Sequence, residues 1–131
     1  MQYAAAVEDG MARILLVDDN RDELESLAEW LRLRRHHVQV AYGFANAVAA
    51  LATGGAPDVV ISDYDMPPYK GTDLLAIVAA RYPGAFRVLY TGSLTEDLPE
   101  DTHFAQLIVE KTGDLEHLND LIRRLMLRRR A

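Results

Sequence analysis

Five short apolar segments alternate with amphipathic segments along nearly the whole chain, and this alternation constrains the fold more than any other feature. The intervening segments repeat apolar residues at the i, i+3, i+4 and i+7 spacing of a helix. Strands that alternate with helices predict an α/β fold, in which helices cover both faces of a parallel sheet. The predicted strands are residues 13–17, 37–41, 58–62, 86–90 and 107–109.

Four segments predict helices, each with residues that favour a helix end at one or both boundaries. Capping side chains precede the first and third helices, and Gly or Pro follows the second and third. A further segment, 95–105, contains Pro99 and predicts a weak helix at best. The predicted helices are 21–35 with Asn20 or Asp19 as cap, 44 to the Gly54-Gly55 stop, a helix capped by Thr72 or Asp73 and ending before Pro83, and 115–126.

Composition excludes several classes of protein. The chain has 131 residues, near the common size of one domain, and contains no Cys, which excludes disulfides, thiolate zinc sites and a cysteine nucleophile. No stretch is apolar for long enough to span a membrane, and the first ten residues do not resemble a signal peptide. We therefore expect one cytoplasmic domain over residues 11–131, preceded by a leader over residues 1–10.

The charge distribution argues against nucleic acid as a partner, although the Arg-rich last nine residues leave that question open, and we expect no membrane partner. The net charge is −6, and five of the 14 basic residues are Arg in the last nine positions, where they favour the end of the last helix. The rest of the chain is strongly acidic. The four histidines show neither metal-ligand spacing nor an apolar setting, so we predict solvated side chains for His36, His37, His103 and His117.

Polar residues stand at the ends of four of the predicted strands. In an open α/β sheet the ligand site lies beyond the carboxyl ends of the strands, so these side chains should converge. Carboxylates brought together repel one another, and Mg²⁺, which prefers oxygen ligands, relieves that repulsion. An aspartate beside a hydroxyl, a lysine and such a metal indicates phosphoryl transfer. The residues are Asp18, Asp19, Asp63, Asp65, Thr91 and Lys111.

Four motifs in order give the chain a family resemblance. They are ILLVDDN at 14–20, DVVISDYDMPPYKG at 58–71, VLYTGS at 88–93, and a strand that ends in Lys111. Together they resemble the receiver domain of two-component response regulators over about residues 11–127. The resemblance implies a doubly wound, flavodoxin-like five-stranded sheet of order 2-1-3-4-5. It also implies a phosphorylation-controlled switch that is not an enzyme in the ordinary sense, because it catalyses only its own phosphorylation and dephosphorylation.

The resemblance assigns a role to each of the converging residues. Asp63 would be the phosphoacceptor, and Met66, Pro67 and Gly71 follow it at the family's offsets. Asp18 and Asp19 would bind Mg²⁺ together with Asp63 and the backbone carbonyl of Asp65. Thr91 would hydrogen-bond the phosphoryl group and Lys111 would pair with it. The implied partners are a sensor histidine kinase or phosphotransfer protein and an unidentified output partner, and the family also allows a homodimer.

The sequence departs from the family at three places. Thr112 follows Lys111 where the family has Pro, and Ile108 replaces the Tyr or Phe that reports movement of the threonine. The third departure is residues 93–106, where the family has its fourth helix; they carry four acidic residues and Pro99, which would break a continuous helix. Because the side chain of Ile108 is short and stiff, we predict that phosphorylation changes the backbone over 92–105 more than the rotamer of Ile108. Either a stand-alone receiver or one from a larger protein such as a hybrid kinase fits the sequence.

Two other functions compete with the phosphorylated switch. Asp63-Tyr64-Asp65 after an apolar strand is similar to the nucleophile motif of haloacid-dehalogenase-like phosphatases, although that family places its acidic pair after its lysine. A receiver-like interaction module that has lost phosphorylation is the third alternative, suggested by Ile108 and Thr112. Turnover of a phosphate ester and labelling of Asp63 distinguish the three.

Overall fold

A computed structural model describes residues 10–92, 103–111 and 113–130 of the chain. Within these residues the five predicted strands and the four predicted helices all form, together with two short strands that the apolar pattern does not predict. The strands are β1 (Arg13–Asp18), β2 (His37–Tyr42), β3 (Val59–Asp63), β4 (Asp65–Met66), β5 (Tyr69–Lys70), β6 (Phe86–Thr91) and β7 (Leu107–Glu110). The helices are α1 (Arg21–Leu33), α2 (Phe44–Thr53), α3 (Gly71–Arg81) and α4 (Leu115–Arg130).

The main sheet has the order β2-β1-β3-β6-β7, and all its neighbouring strands are parallel. This arrangement confirms the predicted 2-1-3-4-5 order, since β6 and β7 are the fourth and fifth strands of that sheet. Among the helices that the structure describes, none combines the length and the apolar character needed to cross a membrane.

Alternate residues of each strand enter two separate apolar layers. Ile14 and Leu16 of β1 pack with α1 and α4 on one face, whereas Leu15 and Val17 pack with α2 and α3 on the other. A strand presents successive side chains to opposite faces, so continuous apolar strands are buried on both sides. The stripe predicted for α1 is buried as expected: Leu24, Leu27, Ala28 and Leu31.

Helix caps agree with the sequence at α1 and differ at α3. The side chain of Asn20 accepts a hydrogen bond from the Glu23 N–H at 3.1 Å, as predicted for the first cap. The prediction of Thr72 or Asp73 as the cap of the third helix is wrong. That helix begins earlier, at Gly71, because the Asp73 carboxylate accepts the backbone N–H of Lys70 at 2.9 Å and so serves as the third helical residue of the first turn.

His36 contradicts the prediction of solvated histidines. Its side chain lies in the interior with 4% exposure, where Nδ1 accepts the backbone N–H of Ala12 at 3.1 Å and Nε2 lies 2.7 Å from Oδ1 of Asn119. Since Nδ1 accepts, Nε2 carries the proton and donates to Asn119. Only the neutral ring makes both bonds, and it links Ala12, the residue before β1, to α4.

We expect His36→Gln to remove a pH-dependent part of the stability, because Gln can also accept from Ala12 and donate to Asn119. Burial, assisted by the charges of Arg123 and His37, holds the pKa of His36 below its ordinary value, against the opposing effect of the Asn119 hydrogen bond. A base with a lowered pKa contributes fully above its unfolded pKa of about 6.5, and this contribution is lost as the pH falls below that value.

Urea unfolding of the wild type and His36→Gln from about pH 8 to 5 measures this contribution as the difference between the two proteins. His117→Gln, at an exposed histidine that is not among the charges acting on His36, should follow the wild type throughout. A constant difference between wild type and His36→Gln over this pH range would contradict the assignment.

Candidate functional site

Two adjacent strands bring the acidic residues together. Val17 of β1 pairs with Ser62 of β3, so Asp18 and Asp63, one residue further on, stand side by side where the strands end. Asp19 follows immediately. Carboxylate oxygens of Asp18, Asp19 and Asp63 all lie within 4.8 Å of one another. The predicted convergence of these three residues therefore occurs.

Backbone groups hold the two buried carboxylates. Asp18 and Asp63 are 4% and 8% exposed. The N–H of Asn20 donates to Oδ1 of Asp18 at 2.9 Å, and the N–H of Tyr64 donates to the Asp63 carboxylate. Bonds from backbone donors orient a carboxylate without consuming its negative charge, so both groups keep oxygens available to a cation.

Lys111 contacts the same two carboxylates. Its Nζ lies 3.0 Å from Oδ2 of Asp18 and 3.2 Å from Oδ1 of Asp63. Burial acts to lower the pKa of Lys111, but hydrogen bonds and charges from the two aspartates outweigh it, so the pKa lies above its ordinary value. The lysine is therefore fully charged at neutral pH.

The surroundings of Asp63 disfavour the ionised form of its carboxyl group. Burial, followed by the negative charge of Asp18, raises the pKa of Asp63 to about 6, against the opposing effects of Lys111 and the Tyr64 N–H. Asp63 is therefore mostly ionised at neutral pH, although its negative charge is only partly compensated by Lys111. An ionised, poorly solvated carboxylate has the properties required of a nucleophile.

Thr91 lies at the end of β6, one residue beyond the partner of Asp63 in the sheet, and is 6% exposed. Its carbonyl accepts the backbone N–H of Lys111 at 2.7 Å, which ties the end of β7 to β6. The hydroxyl of Tyr90 donates to the carbonyl of Lys111 at 3.4 Å. The backbone of the lysine is thus held on both sides of its Cα.

The turn after Asp63 packs closely against the start of α3. The N–H of Gly71 donates to the carbonyl of Tyr64 at 2.6 Å, and a Cβ added at Gly71 would overlap the carbonyl oxygen of Asp63. Ser62 donates from Oγ to the same carbonyl at 2.9 Å. A residue without a side chain is therefore required at position 71, which gives a physical reason for this glycine of the motif.

The carboxylate of Asp65 does not join the acidic cluster. Asp65 lies in the short ribbon β4–β5, which occupies the predicted Pro67-Pro68 loop, and its exposed side chain pairs with Lys70 at 3.3 Å. The family resemblance implies a metal contact only for the backbone carbonyl of Asp65. The side-chain pairing leaves that carbonyl assignment as a prediction.

Glu23 is a site residue that was not predicted from the sequence. Its carboxylate oxygens lie 3.2 and 3.3 Å from Nζ of Lys111, although the two residues are 88 positions apart. One local signal was present: Glu at the third position after an Asn cap is the pattern of a capping box. That pattern indicates a helix start but gives no reason to connect Glu23 with the lysine.

Ile108 is half-buried and packs against the apolar layer that contains α2 and α3. Thr112 and residues 93–102 lie outside the described residues. The predictions for the loop after Lys111 and for most of the segment 92–105 therefore remain predictions.

The donor set fits a hard divalent cation. Three carboxylates, two of them buried, supply only oxygen ligands within a few ångströms of one another. Mg²⁺ takes such oxygens and keeps the rest of its coordination for water or phosphate. The amino group of Lys111 compensates only part of the negative charge, so a second cation would be electrostatically favourable here.

Known proteins provide an independent comparison. The model of the response regulator receiver domain family matches residues 14–123. A response regulator receiver protein of Anaeromyxobacter sp. is 37% identical over 90 residues, which are 69% of this chain and 37% of that protein. FleR of Pseudomonas aeruginosa is 39% identical over 72 residues, 55% of this chain but 15% of FleR. The chain thus matches well under half the length of these two curated relatives.

Solved structures agree with the sequence comparison. The response regulator TrrA of Thermotoga maritima, determined in complex with Mg²⁺-BeF, has a TM-score of 0.78 and 25% identity, with 88% of this chain and 99% of TrrA covered. A response regulator receiver domain protein of Clostridium thermocellum has a TM-score of 0.79 and 23% identity, with 92% and 98% covered. These solved structures share the fold of the chain, and the family match over residues 14–123 establishes that the chain belongs to the receiver domain family of response regulators.

Proposed function

We propose that Asp63 accepts a phosphoryl group from the phosphohistidine of a sensor histidine kinase or phosphotransfer protein in an Mg²⁺-dependent reaction. The observation that carries the proposal is the contact of Lys111 Nζ with both Asp18 and Asp63, at 3.0 and 3.2 Å, within a cluster of three carboxylates. A charged lysine next to a partly desolvated aspartate supplies the cation and the nucleophile that phosphoryl transfer needs.

The proposed transfer is a simple displacement at phosphorus. An oxygen of the Asp63 carboxylate forms a bond to phosphorus as the P–N bond to the donor imidazole breaks, and the released nitrogen keeps the electron pair. Lys111, already 3.2 Å from Asp63, pairs with an oxygen of the transferred group. Thr91, at the end of the neighbouring strand, is the proposed hydroxyl donor to another oxygen.

We propose that Mg²⁺ is held by the carboxylates of Asp18, Asp19 and Asp63 and by the carbonyl of Asp65. When bound, this cation neutralises charge on the phosphoryl oxygens. The donor set described above supports the proposal, and so does the likeness to TrrA, whose structure contains Mg²⁺ with beryllofluoride. The protein itself supplies the nucleophile, the lysine and the orientation of both.

The proposed role is that of a switch. We place the receiver domain at residues 11–131, with an output partner that the phosphorylated surface recognises, and we propose a cytoplasmic location because the phosphohistidine donors of two-component systems act there. The same site would hydrolyse its acyl phosphate slowly, so catalysis would be confined to the protein's own modification.

Labelling with acetyl phosphate in the presence of Mg²⁺ tests the assignment directly. We expect a single phosphoryl adduct by intact-mass spectrometry in the wild type and none in Asp63→Asn. Asp65→Asn is the matched control, because the side chain of Asp65 is exposed and pairs with Lys70 rather than with the cluster. It should label as the wild type does.

The alternatives predict different outcomes. A phosphatase would hydrolyse many equivalents of a small phosphate ester, whereas the switch should show essentially none. A module that has lost phosphorylation would leave Asp63 unlabelled in the wild type. Equal labelling of the wild type and Asp63→Asn would contradict the phosphoacceptor assignment itself.

Asp19→Ala is expected to weaken Mg²⁺ binding about tenfold or more, because it removes an exposed ligand while leaving the buried pair intact. It should also relieve repulsion within the metal-free site. The measurement is the unfolding midpoint with EDTA and at increasing Mg²⁺ concentrations. Asp22→Asn, an exposed carboxylate outside the cluster, controls for net charge, and an identical Mg²⁺ response in Asp19→Ala and the wild type would argue against this ligand.

A further inference from the structure

The ammonium group of Lys111 contacts three carboxylates. An ammonium has three N–H donors, and the partners of Nζ are Asp18 at 3.0 Å, Asp63 at 3.2 Å and Glu23 at 3.2 and 3.3 Å. Two of these partners belong to the proposed phosphorylation site. Glu23 belongs to the first turn of α1 and is not among the proposed metal ligands, so its contact with the lysine needs a separate explanation.

The position of Glu23 is fixed by the start of its helix. Its backbone N–H is bound by the capping side chain of Asn20 at 3.1 Å, and Asn20 in turn donates its own N–H to Asp18 at 2.9 Å. Glu23 therefore has a backbone position defined relative to the acidic cluster. Its side chain is 42% exposed, so its charge is retained without a large desolvation cost.

We propose that Glu23 is a positioning residue that competes with the phosphoryl group for Lys111, and so limits the rate at which Asp63 is phosphorylated. The inference rests on the proposed function of Asp63. In the unphosphorylated site, the contact with Glu23 occupies one N–H of Lys111. It also places a further negative charge beside the path by which an anionic phosphoryl donor approaches Asp63. Removing that charge frees the lysine to pair with the incoming phosphoryl oxygens.

The test is Glu23→Gln, which keeps the size of the side chain and removes its charge. We expect acetyl phosphate to label Asp63 about threefold faster at saturating Mg²⁺, and beryllofluoride to bind more tightly by a similar factor, as expected for one unit charge near a partly hydrated site. Asp22→Asn is the matched control, since it removes the same charge from the preceding residue, and none of the contacts of Lys111 given above involves Asp22. Its rate should change by well under twofold.

A double-mutant cycle with Lys111→Met separates competition from a general effect of charge. The gain from Glu23→Gln should disappear when Lys111 is absent, because there is then no cation for Glu23 to withhold. In EDTA, the changes in unfolding midpoint should also be non-additive, since each single variant removes the same ion pair. This second readout needs neither metal nor phosphoryl transfer.

The outcomes distinguish this inference from the proposed function. A wild type that labels on Asp63, together with a Glu23→Gln variant that labels at the same rate or more slowly, overturns the competition alone. A gain that persists in the Lys111→Met background also overturns it. A wild type that does not label overturns both the proposed function and the role of Glu23.

Discussion

Gly71→Ala is expected to lower the free energy of unfolding by about 2–4 kcal/mol and to reduce the labelling of Asp63 at least about tenfold. A Cβ at this position would overlap the carbonyl oxygen of Asp63 and lie 3.0 Å from Cδ1 of Leu89. The first of these neighbours is backbone, in a strand paired on both sides with β1 and β6. It cannot rotate away as a side chain would.

Relief of the overlap therefore requires movement of the site itself. Either the start of α3 withdraws, which breaks the 2.6 Å hydrogen bond from Gly71 to Tyr64, or the end of β3 shifts and carries Asp63 with it. Both movements change the turn that follows the proposed nucleophile. A displacement of about 1 Å at a reacting group can cost about 100-fold in rate, so tenfold is a conservative expectation.

Gly84→Ala provides the control for the loss of a glycine. A Cβ at Gly84 would meet open space, and its backbone is not in the left-handed region. Urea unfolding and the rate of labelling should both remain close to those of the wild type. If the two glycine variants have equal stability and equal labelling rates, the close approach of α3 to Asp63 does not constrain the site.

The strands and their order were predictable because local pattern and topology agree. A strand that is buried on both faces, such as residues 14–17, is a continuous apolar run in the sequence, whichever strands lie beside it in the sheet. Once the strands are parallel, their carboxyl ends lie at one edge, and the convergence of Asp18 with Asp63 follows. The cluster of three carboxylates thus lies where β1 and β3 end, and both of these strand ends can be recognised in the sequence.

Other features depend on contacts between distant residues. The burial of His36 is explained by Asn119, 83 residues away, and by the N–H of Ala12, and neither partner is marked by spacing or composition. The pairing of Glu23 with Lys111 similarly depends on the angle at which α1 leaves β1. The β4–β5 ribbon has only two residue pairs, too few to give an alternating pattern, so the Pro67-Pro68 segment resembled an ordinary loop.

Lys111→Met is expected to slow the labelling of Asp63 by about 100-fold or more, the usual cost of removing a charged group that stabilises a reacting oxyanion. The same variant should bind Mg²⁺ about tenfold more tightly, because the metal no longer competes with an ammonium already in contact with Asp18 and Asp63. Slower labelling despite tighter metal binding is a specific signature, since general damage to the site would weaken both.

Lys70→Met is the matched control, because Lys70 and Lys111 are the chain's two lysines and Lys70 makes an exposed pair with Asp65. It should leave the labelling rate and the Mg²⁺ affinity close to those of the wild type. Comparable losses in the two lysine variants would mean that the net charge of the protein, rather than the position of Lys111, supports the reaction.

The pH dependence of stability in EDTA provides a test of Lys111 that is independent of phosphorylation. The pKa of Asp63 is raised to about 6 even though Lys111 lowers it, so the fold favours the protonated carboxyl group. Its contribution to stability is complete at low pH and is lost as the pH rises from about 4 through 6. Without Lys111 the pKa of Asp63 should rise further, and the loss should extend to higher pH. Lys111→Met should therefore be destabilised relative to the wild type by about 1–3 kcal/mol near pH 8 and by much less near pH 4. An equal difference at both pH values would mean that the lysine stabilises the fold without compensating the charge of Asp63.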